Sequence, residues 1–489
     1  MRQGLDRSGK AFFVDVIKLV SGSAIAQILM VLFLPILTRF YFPSDFGAYS
    51  IFASITGIIS AISCLRYENA ILLPKTDEEA ANMMGVSLFM SSAVSLLMVP
   101  FIWLGGPLLL SILKMPSLGE YLWLIPPITF FGGATLGHPA LNNWNTRKKR
   151  FGRISIIQVI NAVIIVGWQI SAGIVGRATG GSLIGGVFVG SIISTSLLGW
   201  LVWREGRDIF IKNINFKDMI SGIKRYRKFP LYDSWATLLN SVSWQLPIFV
   251  LSFYFSPIAV GFYALGNSVL RIPMNLVGSA IAQVFLQRAA EANIKNELAI
   301  IVERVFRYLV VLGMFPMLLL SIIGRDLFIV LFGNNWAESG VYVQILSIWM
   351  FFWFISSPLS VLFRVLEKQG FLLLLNIVIF LTRLLSLIIG GWFNNVYLAL
   401  VLFSVSGIIV YGYLSLAITS FSGVSKMRIA QILLRYLLLF IPCGSLILII
   451  QKYIPSPVLI VVIAIGILGL YFLYFFLSET KSMHLVKRE

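Results

Sequence analysis

The chain has 489 residues, 58% hydrophobic and only 12% charged, with a mean hydropathy of +0.91, whereas soluble domains carry about 25% charged residues. No water-soluble fold hides that much apolar surface, so the bilayer is its solvent. The net charge of +18 does not point to nucleic acid, because the Lys and Arg fall in short segments between apolar runs rather than on one soluble face.

A membrane span takes about 20 mainly apolar residues. Fourteen such runs are read in chain order, near 16–38, 46–65, 83–104, 119–140, 154–176, 180–203, 231–253, 258–284, 307–328, 341–363, 371–392, 396–419, 431–450 and 457–478. The basic start (Arg2, Arg7, Lys10) resembles a signal sequence, but its apolar stretch continues to about Leu37 with no evident small-residue cleavage site, so it reads as a retained first span. Between the sixth and seventh runs, residues 204–230 interleave Ile209, Phe210, Ile214, Phe216, Met219, Ile220 and Ile223 with Lys212, Lys217, Lys224 and Arg225. This reads as an amphipathic helix on an anionic leaflet or as a solvated linker. Cys64 and Cys443 lie inside apolar runs, so neither a disulfide framework nor a zinc site is expected.

Orientation follows from the short loops. Thirty of the 38 basic residues fall on one side of a fourteen-span topology, which by the positive-inside rule makes that side, and both termini, cytoplasmic. Dropping one span would scatter the charges, so the asymmetry also supports the count.

An internal repeat organises the chain. Leu34-Pro35-Ile36, Phe40-Tyr41-Phe42-Pro43 and Phe46-Gly47-Ala48-Tyr49 recur as Leu246-Pro247-Ile248, Phe253-Tyr254-Phe255-Ser256-Pro257 and Val260-Gly261-Phe262-Tyr263. Six spans separate the copies, so they run in the same direction, as in parallel transporter repeats. The expected architecture is an all-α membrane protein of two parallel six-helix lobes plus two extra helices around a central cavity. Its divisions are an N-terminal lobe over 1–203, a cytoplasmic linker over 204–230, a C-terminal lobe over 231–420, and the last two spans with a cytoplasmic tail over 421–489.

An ionisable group near the bilayer midplane is costly enough to be a functional candidate. Arg271 and Arg383 each lie about twelve residues into a run, roughly 18 Å deep at 1.5 Å per residue, too deep for easy snorkelling. Helical spacing places Asn267, Arg271, Asn275 and Gly278 on one stripe, and Asn376, Arg383, Ser386 and Gly390 on another. Asp233, Thr237, Asn240, Ser241 and Trp244 form a third, Asp15, Lys18 and Gly22 a shorter one, and Gln158, Asn161 and Trp168 sit in the fifth run. Single Asn or Ser residues in such stripes also serve simply as hydrogen bonds between packed helices.

Lys18, Arg39, Arg66, Arg271 and Arg383 lie within or at the ends of runs and are cationic. The expected cargo is therefore an anion, and diphosphate suits the guanidinium fork. A cation exporter would instead need interior carboxylates in the first lobe. Asp233, Glu68 and Asp15 are candidates for coupling to H+ or Na+, with simple pairing to a neighbouring Arg or Lys as the alternative. His138 and His484 read as satisfied surface groups. There is no phosphate-binding glycine loop, metal spacing or nucleophile elbow, so neither catalysis nor a cofactor is expected. The energy comes from an ion gradient or from the substrate's own. An enzyme of the membrane polymerase type would need a large outer loop, which the runs do not leave.

Leu34-Pro35-Ile36-Leu37-Thr38-Arg39, Phe46-Gly47-Ala48-Tyr49 and Leu65-Arg66-Tyr67-Glu68-Asn69-Ala70-Ile71-Leu72-Leu73-Pro74 resemble the Wzx-type polysaccharide-transport flippases of the MOP superfamily. Pro247, Gly261, Tyr263, Arg271, Pro273 and Leu331-Phe332-Gly333 continue the match through the second half. The resemblance implies a V-shaped pair of lobes that alternates access. It also implies a cargo of undecaprenyl diphosphate bearing a glycan repeat unit, moved across the bacterial inner membrane for O-antigen, capsule or exopolysaccharide assembly alongside a polymerase and chain-length complex. Lys18, Arg39, Arg66 and Arg271 occupy places comparable to the basic residues used by lipid II flippases of that superfamily. A small-molecule exporter of the MATE type is the alternative within the same fold.

Overall fold

The computed structural model describes residue 22 and residues 24–132 and 138–486; Asp15 and Lys18 lie outside them. Every described element is helical. In chain order these are α1 (Ala24–Phe40), α2 (Pro43–Ile62), α3 (Asp77–Ile112), α4 (Ile125–Phe130), α5 (Pro139–Arg147), α6 (Phe151–Ile174), α7 (Gly180–Asn213), α8 (Phe216–Arg225) and α9 (Ser234–Tyr254). They continue as α10 (Pro257–Leu270), α11 (Ser279–Ile294), α12 (Leu298–Phe332), α13 (Ala337–Leu359), α14 (Leu362–Val365), α15 (Gln369–Trp392), α16 (Val396–Phe421), α17 (Lys426–Tyr453) and α18 (Pro457–Val486).

Local chemistry sets the ends of these helices. Pro43 occupies the first turn of α2, where its missing N–H costs nothing, and the Asp45 carboxylate accepts the Phe42 amide at 2.9 Å. Its other oxygen accepts the Gly180 amide at 2.9 Å, so one carboxylate caps two helices. Thr76 caps α3 through the Glu79 amide, with Asp77, Glu78 and Glu79 in the first turn, where acidic side chains complement the helix dipole.

Among the described residues eleven helices are long and apolar enough to cross a membrane, and α1 and α10 are shorter apolar helices at the first and eighth expected runs. The fourth expected run, 119–140, is not one helix among the described residues: it comprises 3-10 turns over Pro116–Leu124, then α4, then the start of α5. Pro126, Pro127 and Pro139 interrupt its backbone hydrogen bonding. The all-helical membrane architecture is thus borne out, while helix length alone does not establish a count of fourteen.

The chain divides into two compact units, Met1–Ala264 and Leu265–Glu489, the division falling within α10. In the first, α3, α5 and α7 enclose a core of Ile71, Met83, Val86, Trp144 and Phe210. The segment 204–230 begins as the continuation of α7, and α8 then lies against α3, with Met219 and Gly222 beside Gly85 and Met83. The repeated motifs meet here. A Cβ on Gly47 would come to 2.0 Å from the Pro257 carbonyl, and one on Gly261 to 1.8 Å from that of Pro43. Glycine is therefore required at both positions. The reciprocal exchange of Pro43–Gly47 with Pro257–Gly261 is the signature of a local twofold relation.

In the second unit, α12 and α13 cross where a Cβ on Gly324 would meet the Gly340 carbonyl at 2.7 Å. This is the small-residue contact by which helices associate in lipid. In the same unit Phe306, Phe328, Trp336, Trp349 and Phe354 are fully buried. By contrast, Leu96, Phe101, Trp103 and Leu104 on α3 are strongly exposed, as suits a face solvated by acyl chains.

Candidate functional site

The segment that leads from α2 to α3 turns sharply. Leu65 and Arg66 both adopt left-handed backbone conformations, with φ of 49° and 63°, each costing about 1–2 kcal/mol for a non-glycine residue. A 3-10 turn over Tyr67–Leu72 follows. Arg147 holds the segment from α5: Nη1 donates to the Pro74 carbonyl at 2.8 Å and the Ile71 carbonyl at 3.2 Å, Nη2 to the Thr76 carbonyl at 2.9 Å, and Nε pairs with Asp77 at 2.9 Å. Lys148 pairs with the other Asp77 oxygen.

The strained turn aims Arg66 at two carboxylates. Its Nε donates to Asp233 Oδ2 at 2.9 Å and its Nη1 to Glu68 Oε1 at 3.2 Å. Asn69 Nδ2 adds a bond to Asp233 Oδ2 at 3.2 Å. The Glu68 side chain is 5% exposed, against 27% for Arg66 and 41% for Asp233. Glu68 Oε2 is buried without a hydrogen-bond partner. Burial pushes the Glu68 carboxyl above its ordinary pKa, its own backbone amide and the Arg66 guanidinium pull it back, and Asp233 pushes it up again. At this site one cation is shared between two carboxylates, the more buried of which has its pKa raised.

A second cluster lies in the Leu265–Glu489 unit. Arg271 sits at a break in helical structure: α10 ends at Leu270, Pro273 follows, and a π turn runs over Met274–Gly278. The half-buried Arg271 guanidinium stands 5.8 Å from the centroid of the Trp353 ring. Arg383, on α15, is 4% exposed; its Nη2 donates to Tyr411 Oη at 2.8 Å, and it stands 5.8 Å from the Trp349 ring. Trp349 and Trp353 are one helical turn apart on α13, so Arg271 and Arg383 lie over successive indoles of one face.

Of the residues expected from the sequence, the structure brings Arg66, Glu68 and Asp233 together, and separately places Arg271 and Arg383 on one aromatic surface. Asn267 is half-buried and Asn275 exposed, flanking Arg271 through backbone bonds at 3.1 and 3.0 Å. Thr237 is half-buried and Asn240 exposed on α9, and Arg39 is exposed at the end of α1. His138 is a correction: it is 1% exposed, and its Nε2 is buried without a hydrogen-bond partner, because Nδ1 caps α5 through the Ala140 amide and turns the ring inward. Sequence reasoning missed Trp349, Trp353 and Tyr411. Their only sequence signal was the i, i+4 spacing of two tryptophans, which core packing also produces.

A family model described as "Polysaccharide biosynthesis protein" matches residues 36–341. No curated protein matches the chain. Among solved structures, the lipid II flippase MurJ in an inward closed conformation aligns over 96% of this chain and 99% of its own, with a TM-score of 0.63 and 13% identity. An inward-facing multidrug resistance MATE family transporter of the MOP superfamily aligns over 82% and 96%, with a TM-score of 0.61 and 15% identity. The eukaryotic MATE transporter AtDTX14 aligns over 88% and 99%, at 0.54 and 16%. At these identities the likeness is one of fold.

Proposed function

The chain belongs to the polysaccharide biosynthesis protein family and has the fold of the MOP superfamily, as its resemblance to Wzx-type flippases implied, and on that footing we propose that it is a flippase for a polyprenyl-diphosphate-linked glycan. The observation that carries this reading is Arg271, a guanidinium at the broken point of an apolar segment and over the Trp353 ring. Interrupted helices supply substrate sites in transporters, and a fork-shaped cation in apolar surroundings recognises phosphate oxygens. The undecaprenyl carrier and an O-antigen, capsule or exopolysaccharide repeat unit are the specific cargo proposed.

In this reading the strongly basic face is cytoplasmic in the bacterial inner membrane, and both termini lie on that side. The diphosphate competes with Asp233 for Arg66, so arrival of cargo releases the start of α9 from the turn that carries Glu68. Glu68 then exchanges a proton, which links the cycle to the H+ gradient. Arg271 holds the headgroup at depth while the prenyl tail stays in lipid, and Arg383 supports the same aromatic surface from behind. A polymerase and chain-length complex would receive the product. A cation exporter fits less well, because the described Glu68 and Asp233 carboxylates are already shared with Arg66.

The test is complementation of a flippase-deficient strain, with protein levels checked: Arg271→Ala is expected to abolish surface glycan, and full activity of that variant would remove Arg271 from the mechanism.

A further inference from the structure

The strained turn between α2 and α3 is gripped more firmly from one side than from the other. On one side stands α5, a nine-residue helix with two working faces. Ala140, Leu141, Trp144 and Asn145 are buried, and the Trp144 ring lies 5.0 Å from that of Phe210 on α7, so this face is fixed in the core of the Met1–Ala264 unit. Asn143 and Arg147, four residues apart and therefore neighbours on the helix surface, reach the turn instead. Asn143 Nδ2 donates to the Glu68 carbonyl at 2.9 Å, and Arg147 donates to the Ile71, Pro74 and Thr76 carbonyls and to Asp77.

The left-handed backbone at both Leu65 and Arg66 opposes the turn, so its shape persists only while the surroundings hold the chain. Arg66 takes its direction from that shape, two residues before the carbonyl that Asn143 grips. On the other side, Asp233 meets the turn through Oδ2, which accepts from Arg66 Nε at 2.9 Å and from Asn69 Nδ2 at 3.2 Å. The Asp233 side chain is 41% exposed, and ion pairs open to solvent are weak. The contact with Asp233 therefore gives way before the grip of α5 does.

We propose that Asn143 and Arg147 are positioning residues: they keep the Arg66–Glu68 turn wound while Asp233 leaves, so that Arg66 meets an arriving phosphate already aimed. Their role rests on the proposed function of Arg66 as a phosphate contact; given that, the start of α9 moves and the turn stays. A guanidinium held in its binding direction loses no affinity to misdirected states.

The experiment is binding of a fluorescent polyprenyl-diphosphate glycan to the full chain in lipid nanodiscs. A variant that merely folds less well binds less in total and keeps the half-saturating concentration. Asn143→Ala is expected to raise that concentration about three- to tenfold, the worth of one hydrogen bond. Arg147→Lys keeps a charge beside Asp77 but has no fork to span three carbonyls, and it is expected to raise the concentration about tenfold. Asn143 is half-buried and makes a single bond to the turn, so Asn143→Ala decides the matter where Arg147→Lys fails to fold. In an Arg66→Ala chain, adding Asn143→Ala is expected to change nothing further, because no guanidinium remains to be aimed. Additive losses in that pair, or an unchanged half-saturating concentration in either single variant of α5, would overturn the positioning role while leaving Arg66 in the mechanism. Wild-type binding by Arg66→Ala would overturn the proposed function of Arg66 and the positioning role with it.

Discussion

The two charged clusters solve the same electrostatic problem in different ways. At the rim of the first unit, Arg66 is neutralised by Glu68 and Asp233, and its side chain keeps 27% of its exposure. In the second unit, Arg271 and Arg383 stand over the faces of Trp353 and Trp349, and the hydroxyl of Tyr411 accepts a hydrogen bond from the Arg383 guanidinium. A carboxylate partner holds a cation until a stronger anion arrives, whereas an aromatic face lowers the cost of a cation in lipid without neutralising its charge. The first arrangement suits a latch and the second suits a binding surface.

The difference is broken most severely by removing Arg271. Arg271→Ala is expected to reduce glycan export about a hundredfold, the order expected when a desolvated charged contact is lost. Arg271→Lys should recover only part of that, since an ammonium has no fork to span two phosphate oxygens. Wild-type export by the lysine variant would show that bidentate geometry plays no part.

In the first unit the effect should fall on stability. Arg66→Ala leaves Glu68 buried beside no cation and should destabilise the unit by about 3 kcal/mol, measured as a lower thermal midpoint. Asp233→Asn disturbs a pair that is about one-third exposed and should cost 1 kcal/mol or less. If the two variants cost the same, the burial of Glu68 is not what distinguishes them.

A pH series sharpens the same contrast. Because burial raises the Glu68 pKa above 4.5, the folded state binds its proton more tightly than the unfolded chain does. The stabilisation from that proton is complete below about 4.5 and is lost as pH rises through the raised value. The thermal midpoint of the wild-type chain should therefore fall with rising pH across that window, and Glu68→Gln should remove that part of the slope. An unchanged slope would assign the titration to another group. The smallest effect belongs to Trp353→Phe, which weakens a cation–π contact worth about 0.5–1 kcal/mol and should raise the concentration of lipid-linked glycan needed for half-maximal transport only a few-fold.

Much of this was legible in the sequence because membrane spans are long signals. Apolar runs, basic loops and the Pro-x-x-x-Gly repeat are written over tens of residues, whereas the meeting of Gly47 with Pro257 is visible only in the structure. The family-specific stretch around Arg66 also proved to be the strained, clamped turn. The fourth run was misread as one helix because hydropathy does not register the backbone bonds that Pro126, Pro127 and Pro139 remove. The pairing of Arg66 with Asp233 spans 167 residues, and no local pattern encodes which distant carboxylate a guanidinium will choose. His138 was misread for the same reason: burial depends on which helices close over it, not on its own neighbours.

The central claim is tested most directly by reconstituting the full chain in liposomes with a fluorescent polyprenyl-diphosphate glycan on one leaflet and following its appearance on the other. The account predicts movement by the wild-type chain, about a hundredfold slower movement by Arg271→Ala, and no movement of a cationic dye by either. Transport of the dye, or wild-type movement of the lipid by Arg271→Ala, would contradict it.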